Sequence, residues 1–167
     1  MTAPTAGDLR AVRMLQLPVQ IWAASQEHHD ELLREFALMT VGSAEHSAHA
    51  PPVPVRLLRL VDQLTRSYAG SSDEQRERLF AAAVHGEQVI DQLDYHLPVA
   101  VGPACVELAR MLDEADRYCR EGEHLLTLAT PDDVRLFRDW YLGEIVRQLD
   151  GAPPEPWPDF AARAGRG

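Results

Sequence analysis

The sequence predicts an all-α fold, a single-domain bundle of about five helices with room for one short two-stranded pairing of extended segments. Three observations predict it. Apolar residues return at steps of three and four along several stretches, the spacing that gathers side chains on one face of a helix. Proline, glycine and Ser/Thr–acid clusters fall between those stretches, where helices start and stop. Only two short segments alternate at the period of a strand instead. The 167 residues fit one domain, and at that size a single core hides about two-thirds of the surface an unfolded chain exposes.

Taken in order, residues 1–11 are small, polar and proline-containing, the composition of a disordered N-terminus, and the helical domain spans 12–151. Val12 to Pro18, VRMLQLP, reads as extended, because a residue before proline is pushed out of the helical region. Pro18 then opens the first helix, LPVQIWAASQEHHDELLREFALM, which fades by Gly42. Its stripe is Trp22, Ser25, His29, Leu32, Phe36 and Met39. Residues 43–52 form a loop by composition. Pro54 opens a second helix with the stripe Leu57, Leu60 or Val61, Leu64 and Tyr68, ending at Gly70. Ser72 and Gln75 form a capping-box pattern for a third, and Asp73 and Glu74 suit the positive end of its dipole; Gly86 stops it. Leu93, Tyr95 and Leu97 alternate, so this segment is extended and can pair with VRMLQL. A fourth helix, from Pro98 or Pro103, carries Val101, Cys105, Leu108, Leu112, Ala115 and Cys119 on one seam. Thr130 as cap and Pro131 in the first turn open the fifth, which is apolar around much of its circumference and therefore central. Residues 152–167 form a proline-rich C-terminal tail, in which the aromatic residues Trp157 and Phe160 are too hemmed by prolines to join a helix seam.

Composition excludes several classes of function. Sixteen basic against twenty-six acidic residues leave a net charge of −10, which opposes nucleic acid and anionic membrane surfaces and favours a protein partner. No run approaches the roughly 20 apolar residues of a membrane span. The start, MTAPTAGDLR, lacks the basic and apolar regions of a secretory signal, which places the protein in the cytoplasm. Cys105 and Cys119 lie fourteen positions apart on one predicted helix, about 21 Å at roughly 1.5 Å per residue, and read as buried core thiols. The sequence leaves a homodimer open.

No motif of known mechanism is completed. A carboxylate-bridged metal site in a bundle needs two Glu-x-x-His pairs, and only Glu121 with His124 has that spacing, across Gly122. His46 and His49 are a lone pair in a loop. G-x-S-x-G, H-E-x-x-H and phosphate-cradling glycine loops are absent. The densest ionisable run is Glu27, His28, His29, Asp30 and Glu31. Its His29–Asp30 dipeptide has the form of a phosphoacceptor site, but the stripe assigns His29 to the seam, hydrogen-bonded to a hydroxyl such as that of Tyr68 or Tyr141, and puts His28 with Glu35 on the flank. Trp22, His28, His29, Asp30, Arg34 and Trp157 are therefore the candidate interaction or polar-core residues; no catalytic, cofactor or metal residue is assigned, and no cofactor is expected.

The segments LQLPVQIWAASQEHHDELLREFALM, EADRYCREGEHLLTLATPDDVRLFRDWYLGEIVRQLDG and PPEPWP resemble a family of small actinobacterial all-helical proteins, often encoded near anti-sigma-type ATP-binding proteins and serine phosphatases of partner-switching systems. The resemblance spans Met14 to Pro158 and offers no catalytic residue to carry across. It implies a non-catalytic regulatory protein-interaction domain, an accessory component of a bacterial signalling system whose partner is a kinase-like anti-sigma or phosphatase component. A histidine phosphotransfer module is the alternative, and a ligand- or metal-binding helical bundle the third reading.

Overall fold

The two extended segments pair. In the computed structural model, which describes residues 8–42, 53–68, 70, 72–122 and 129–165, β1 (Leu9–Pro18) runs antiparallel to β2 (Val89–Pro98), with Leu9 opposite Pro98 and Pro18 opposite Val89. Strand β1 thus begins at Leu9, inside the stretch expected to be disordered through residue 11. Those extra residues, Leu9, Arg10 and Ala11, are exposed and carry no apolar alternation by which a strand could be recognised. Val12 and Met14 point into the core opposite Tyr95 and Leu93, whereas further along it is Leu17 that faces inward, opposite Ile90. The inward set changes phase at Gln16, whose φ of +52° is the only positive value at a described non-glycine residue. That twist is how one strand keeps both ends apolar side in.

Two strands alone are marginal. Here helix α5 (Asp132–Leu149) covers them. Its Gln148 acts as a third strand for β1: the side-chain amide donates to the Arg13 carbonyl at 2.8 Å and accepts from the Arg13 N–H at 2.8 Å. Arg10 Nη1 donates to the Leu149 carbonyl at 2.6 Å. Gln148 is itself held by Glu144 one turn back, which is 2% exposed. The helix expected to be apolar around much of its girth therefore also carries a buried polar edge.

The remaining helices are α1 (Val19–Gly42), α2 (Val53–Ser67), α3 (Asp73–Val84), α4 (Val101–Glu121) and α6 (Trp157–Ala164). The described residues are mostly helical, with six helices rather than about five. The sixth forms in the tail. Trp157 and Pro158 occupy its first turn, where a proline's missing N–H costs nothing, so the prolines that seemed to exclude a helix start one. Glycines close α3 and α5: Gly86 (φ +73°) and Gly151 (φ +94°) take the left-handed conformation that lets the chain turn back on the last carbonyls.

Two expected caps are built differently. Ser72 precedes α3 but makes no side-chain capping bond, and Gln75 instead donates to the Asp94 carbonyl of β2 at 2.8 Å. Pro131, not Thr130, takes the N-cap position of α5, which frees Thr130 for another contact. Cys105 and Cys119 are buried free thiols on α4. No described helix is long and apolar enough to cross a membrane. His46, His49 and His124, and with it the Glu121–His124 pair, lie outside the described residues.

The core has two clusters. The first joins the sheet to α5, α3, the start of α1 and α6, around Val12, Met14, Leu17, Trp22, Leu79, Phe137 and Trp140. The second joins the far half of α1 to α2 and α4, around Leu32, Phe36, Leu57, Met111, Leu112 and Cys119.

Candidate functional site

Where the two clusters meet, the side chains of the described residues do not fill the space. A cavity of about 300 Å³ lies there, walled by Trp22, Tyr95 and Phe137 from the first cluster and by Leu32, Leu112 and Leu108 from the second. Its polar lining is Ser25, Gln26, His28 and His29 of α1, Thr130, Arg138 and Tyr141 beside and on α5, and Ser72 and Arg76.

Behind one wall, the lining residues Thr130 and Arg138 are joined by a hydrogen-bonded chain centred on Asp116, only 4% exposed. Its Oδ1 accepts from both the hydroxyl and the backbone N–H of Thr130, and its Oδ2 accepts from Arg138 Nη1 at 3.0 Å. Arg138 also donates to Asp113 at 2.6 Å, so its charge is matched by two carboxylates. His28 Nε2 lies 3.1 Å from Thr130 Oγ1. Because the single Thr130 proton goes to Asp116, that contact closes only if His28 Nε2–H donates, which leaves Nδ1 as an acceptor on a neutral ring. Burial pushes the His28 pKa below its ordinary value, against the pull of Asp116 and Glu31. Burial likewise lowers His29, against Asp30.

The expected roles are divided between the two rings: His29 is the more deeply buried, as the stripe requires, but the hydrogen bond belongs to His28. His28, not His29, is bound into the polar interior, while His29 lines the cavity and makes no side-chain hydrogen bond to a described residue. The Tyr141 hydroxyl that was expected to meet His29 instead lies 2.5 Å from that of Tyr95. Asp30 and Arg34 are exposed and stand outside the cavity. Trp22 is buried against Phe80 at 5.0 Å between ring centroids. Trp157 docks behind the cavity wall, 5.9 Å from Phe137 and 5.6 Å from Trp140.

Beyond the tyrosine pair lies a second cavity of about 510 Å³, lined by Leu64, Tyr68, Val101, Cys105 and Ile145 and sharing Tyr95, Tyr141, Leu108, Ser72 and Arg76 with the first. Burial pushes Tyr95 up to about 12 and Tyr141 well above its ordinary value, so both stay protonated. The Cys105 thiol is pushed up to about 11 by burial and is a poor nucleophile. Among the described residues no three His, Cys, Asp or Glu side chains converge as a metal site.

Asp116 and Arg138 are the site residues that the linear pattern did not single out, while Thr130, Tyr95 and Tyr141 stand in it in other roles, as a helix cap, a strand residue and a partner for His29. One signal was present: Asp116 sits beside Leu112, Ala115 and Cys119 on the α4 seam, where a carboxylate needs a buried partner. Comparison with protein-family models, curated proteins and solved structures finds no match for the chain. Chemically, the site can hold an apolar body and offer it neutral hydrogen-bond donors and acceptors.

Proposed function

We propose that the chain is a non-catalytic regulatory domain that holds a small, largely apolar molecule in the cavity between α1, α4 and α5 and acts through a protein partner. The observation that carries this reading is the aromatic-walled cavity of about 300 Å³ with polar groups converging on it, at the lower end of ligand-pocket sizes. The lining favours binding over turnover: the thiol of the adjoining cavity is held protonated, and the Thr130 hydroxyl gives its proton to Asp116 and not to a histidine base. The partner half of the proposal draws on the resemblance to proteins encoded beside partner-switching components and on the acidic charge of −10. The expected partner is a kinase-like anti-sigma or phosphatase protein.

The test has two arms. Immobilised full chain in an actinobacterial extract is expected to retain such a partner, identified by mass spectrometry. Thermal unfolding with a panel of small apolar compounds is expected to show midpoints raised by several degrees for some of them. Chemical conversion of a bound compound, or failure of every compound to raise the midpoint, would overturn the reading.

A further inference from the structure

The tyrosine pair at the junction of the two cavities has one hydrogen too many. Tyr95 and Tyr141 each carry a hydroxyl proton, and their oxygens lie 2.5 Å apart, so one proton sits between them. The other has no acceptor among the described residues, and both rings border the cavities. A hydroxyl proton in a largely apolar setting seeks an acceptor. Around it, the charged groups are already matched. The Arg138 charge is balanced by Asp113 and Asp116, although its buried Nε–H has no hydrogen-bond partner among the described residues, and Arg76 donates to Asp73 at 2.8 Å. Desolvation keeps both histidine rings toward their neutral forms. Among the described lining residues an entering carboxylate would meet no cation without a carboxylate partner to offset its loss of water, whereas a neutral oxygen acceptor pays no such desolvation penalty.

We infer that the cavity selects a neutral carbonyl compound with an apolar, ring-sized body, whose oxygen accepts the spare hydroxyl proton of the Tyr95–Tyr141 pair while Trp22, Phe137 and Leu112 enclose the body. This rests on the ligand-binding reading above and names its ligand class. Both hydroxyls remain protonated through the physiological range, so the donor persists there.

Three probes of similar size separate the possibilities: acetophenone (neutral acceptor), benzoate (anionic acceptor) and ethylbenzene (no acceptor). Each is titrated into the full chain while the amide and indole resonances of the cavity-lining residues, Trp22 foremost, are followed. Acetophenone is expected to bind about tenfold more tightly than either of the others, the difference one well-placed hydrogen bond makes. The double variant Tyr95→Phe/Tyr141→Phe is expected to lose that advantage and to bind acetophenone and ethylbenzene alike; both substitutions are needed, because a single one frees the remaining hydroxyl. The comparison of the three probes on the unaltered chain stands even if the double variant fails to fold. Equal binding of all three, or tightest binding of benzoate or ethylbenzene, would overturn the carbonyl assignment and leave the cavity a binding site. Absence of shifts at the cavity-lining resonances with every probe would overturn both.

Discussion

Thr130 joins two groups that could not otherwise meet, the buried carboxylate of Asp116 and the ring of His28. Thr130→Val keeps the shape and removes the hydroxyl, leaving Asp116 and His28 each short of a partner. It should cost about 2–3 kcal/mol in urea denaturation. His28→Ala should destabilise more than His29→Ala, because only His28 is tied into this chain; the opposite order would show that the contact contributes little. The pH dependence has a definite sign. Burial depresses both histidine pKa values from 6.5, so the unfolded chain takes up protons first as the solution is acidified. The stability from the neutral rings is complete above pH 6.5 and is lost as pH falls below it. Denaturation at pH 7.5 and 5.5 should show lower stability at 5.5, with the difference reduced in His28→Ala. The stripe on α1 assigns the polar role to His29, although the step from Ser25 is three to His28 and four to His29 and both then lead on to Leu32. What decides it is Asp116 and Thr130, distant in sequence from α1 and brought to it only by the tertiary fold.

Among the elements, β1 depends on a partner no strand pattern announces. Gln148→Leu would fill the same volume but leave the Arg13 N–H and carbonyl without their 2.8 Å contacts. A loss of about 2–3 kcal/mol is expected, together with faster hydrogen exchange at the Arg13 amide. Unchanged exchange would mean that water replaces the side chain at no cost. Gln16 makes the complementary case. With φ at +52°, Gln16→Val should cost about 1–2 kcal/mol, because a β-branched side chain clashes in that region, while Gln16→Gly should be tolerated. The helices and the inner halves of both strands were legible because their buried residues recur at fixed periods. The outer ends of the strands, Leu9 to Ala11 and Val89 to Gln92, were not, since most of their residues face solvent and the phase changes at Gln16. The α6 helix was hidden by its own prolines, which mark a first turn as readily as a loop.

Across the whole molecule, two clusters share α1, α4 and α5, and the cavity is the seam those shared helices leave open. The tail closes the far side of the same wall. Trp140 Nε1 donates to the Glu155 carbonyl at 2.9 Å, and the Glu155 N–H donates to the buried Glu144 at 2.9 Å. Trp157 then lies against Phe137 and Trp140, and Phe160 lies 6.2 Å beyond it with Arg163 over its ring. Phe137 is thus touched by the tail and by the cavity at once. Ending the chain at Gly151 would expose the Phe137–Trp140 surface, leave the Trp140 indole N–H without its acceptor and take from Glu144 Oε2 one of its two donors, the other being Gln148. At about 3 kcal/mol for the combined loss of apolar cover and hydrogen bonds, the melting temperature should fall by about 6–12 °C for a chain of this size. Trp157→Ala alone should reproduce a large part of that fall, because the aromatic contact is most of the cover, while Phe160→Ala, farther from Trp140, should reproduce less. An unchanged melting temperature on truncation would mean that α6 rests on the surface without bracing it, and the cavity wall would then have to be held by the sheet and α5 alone.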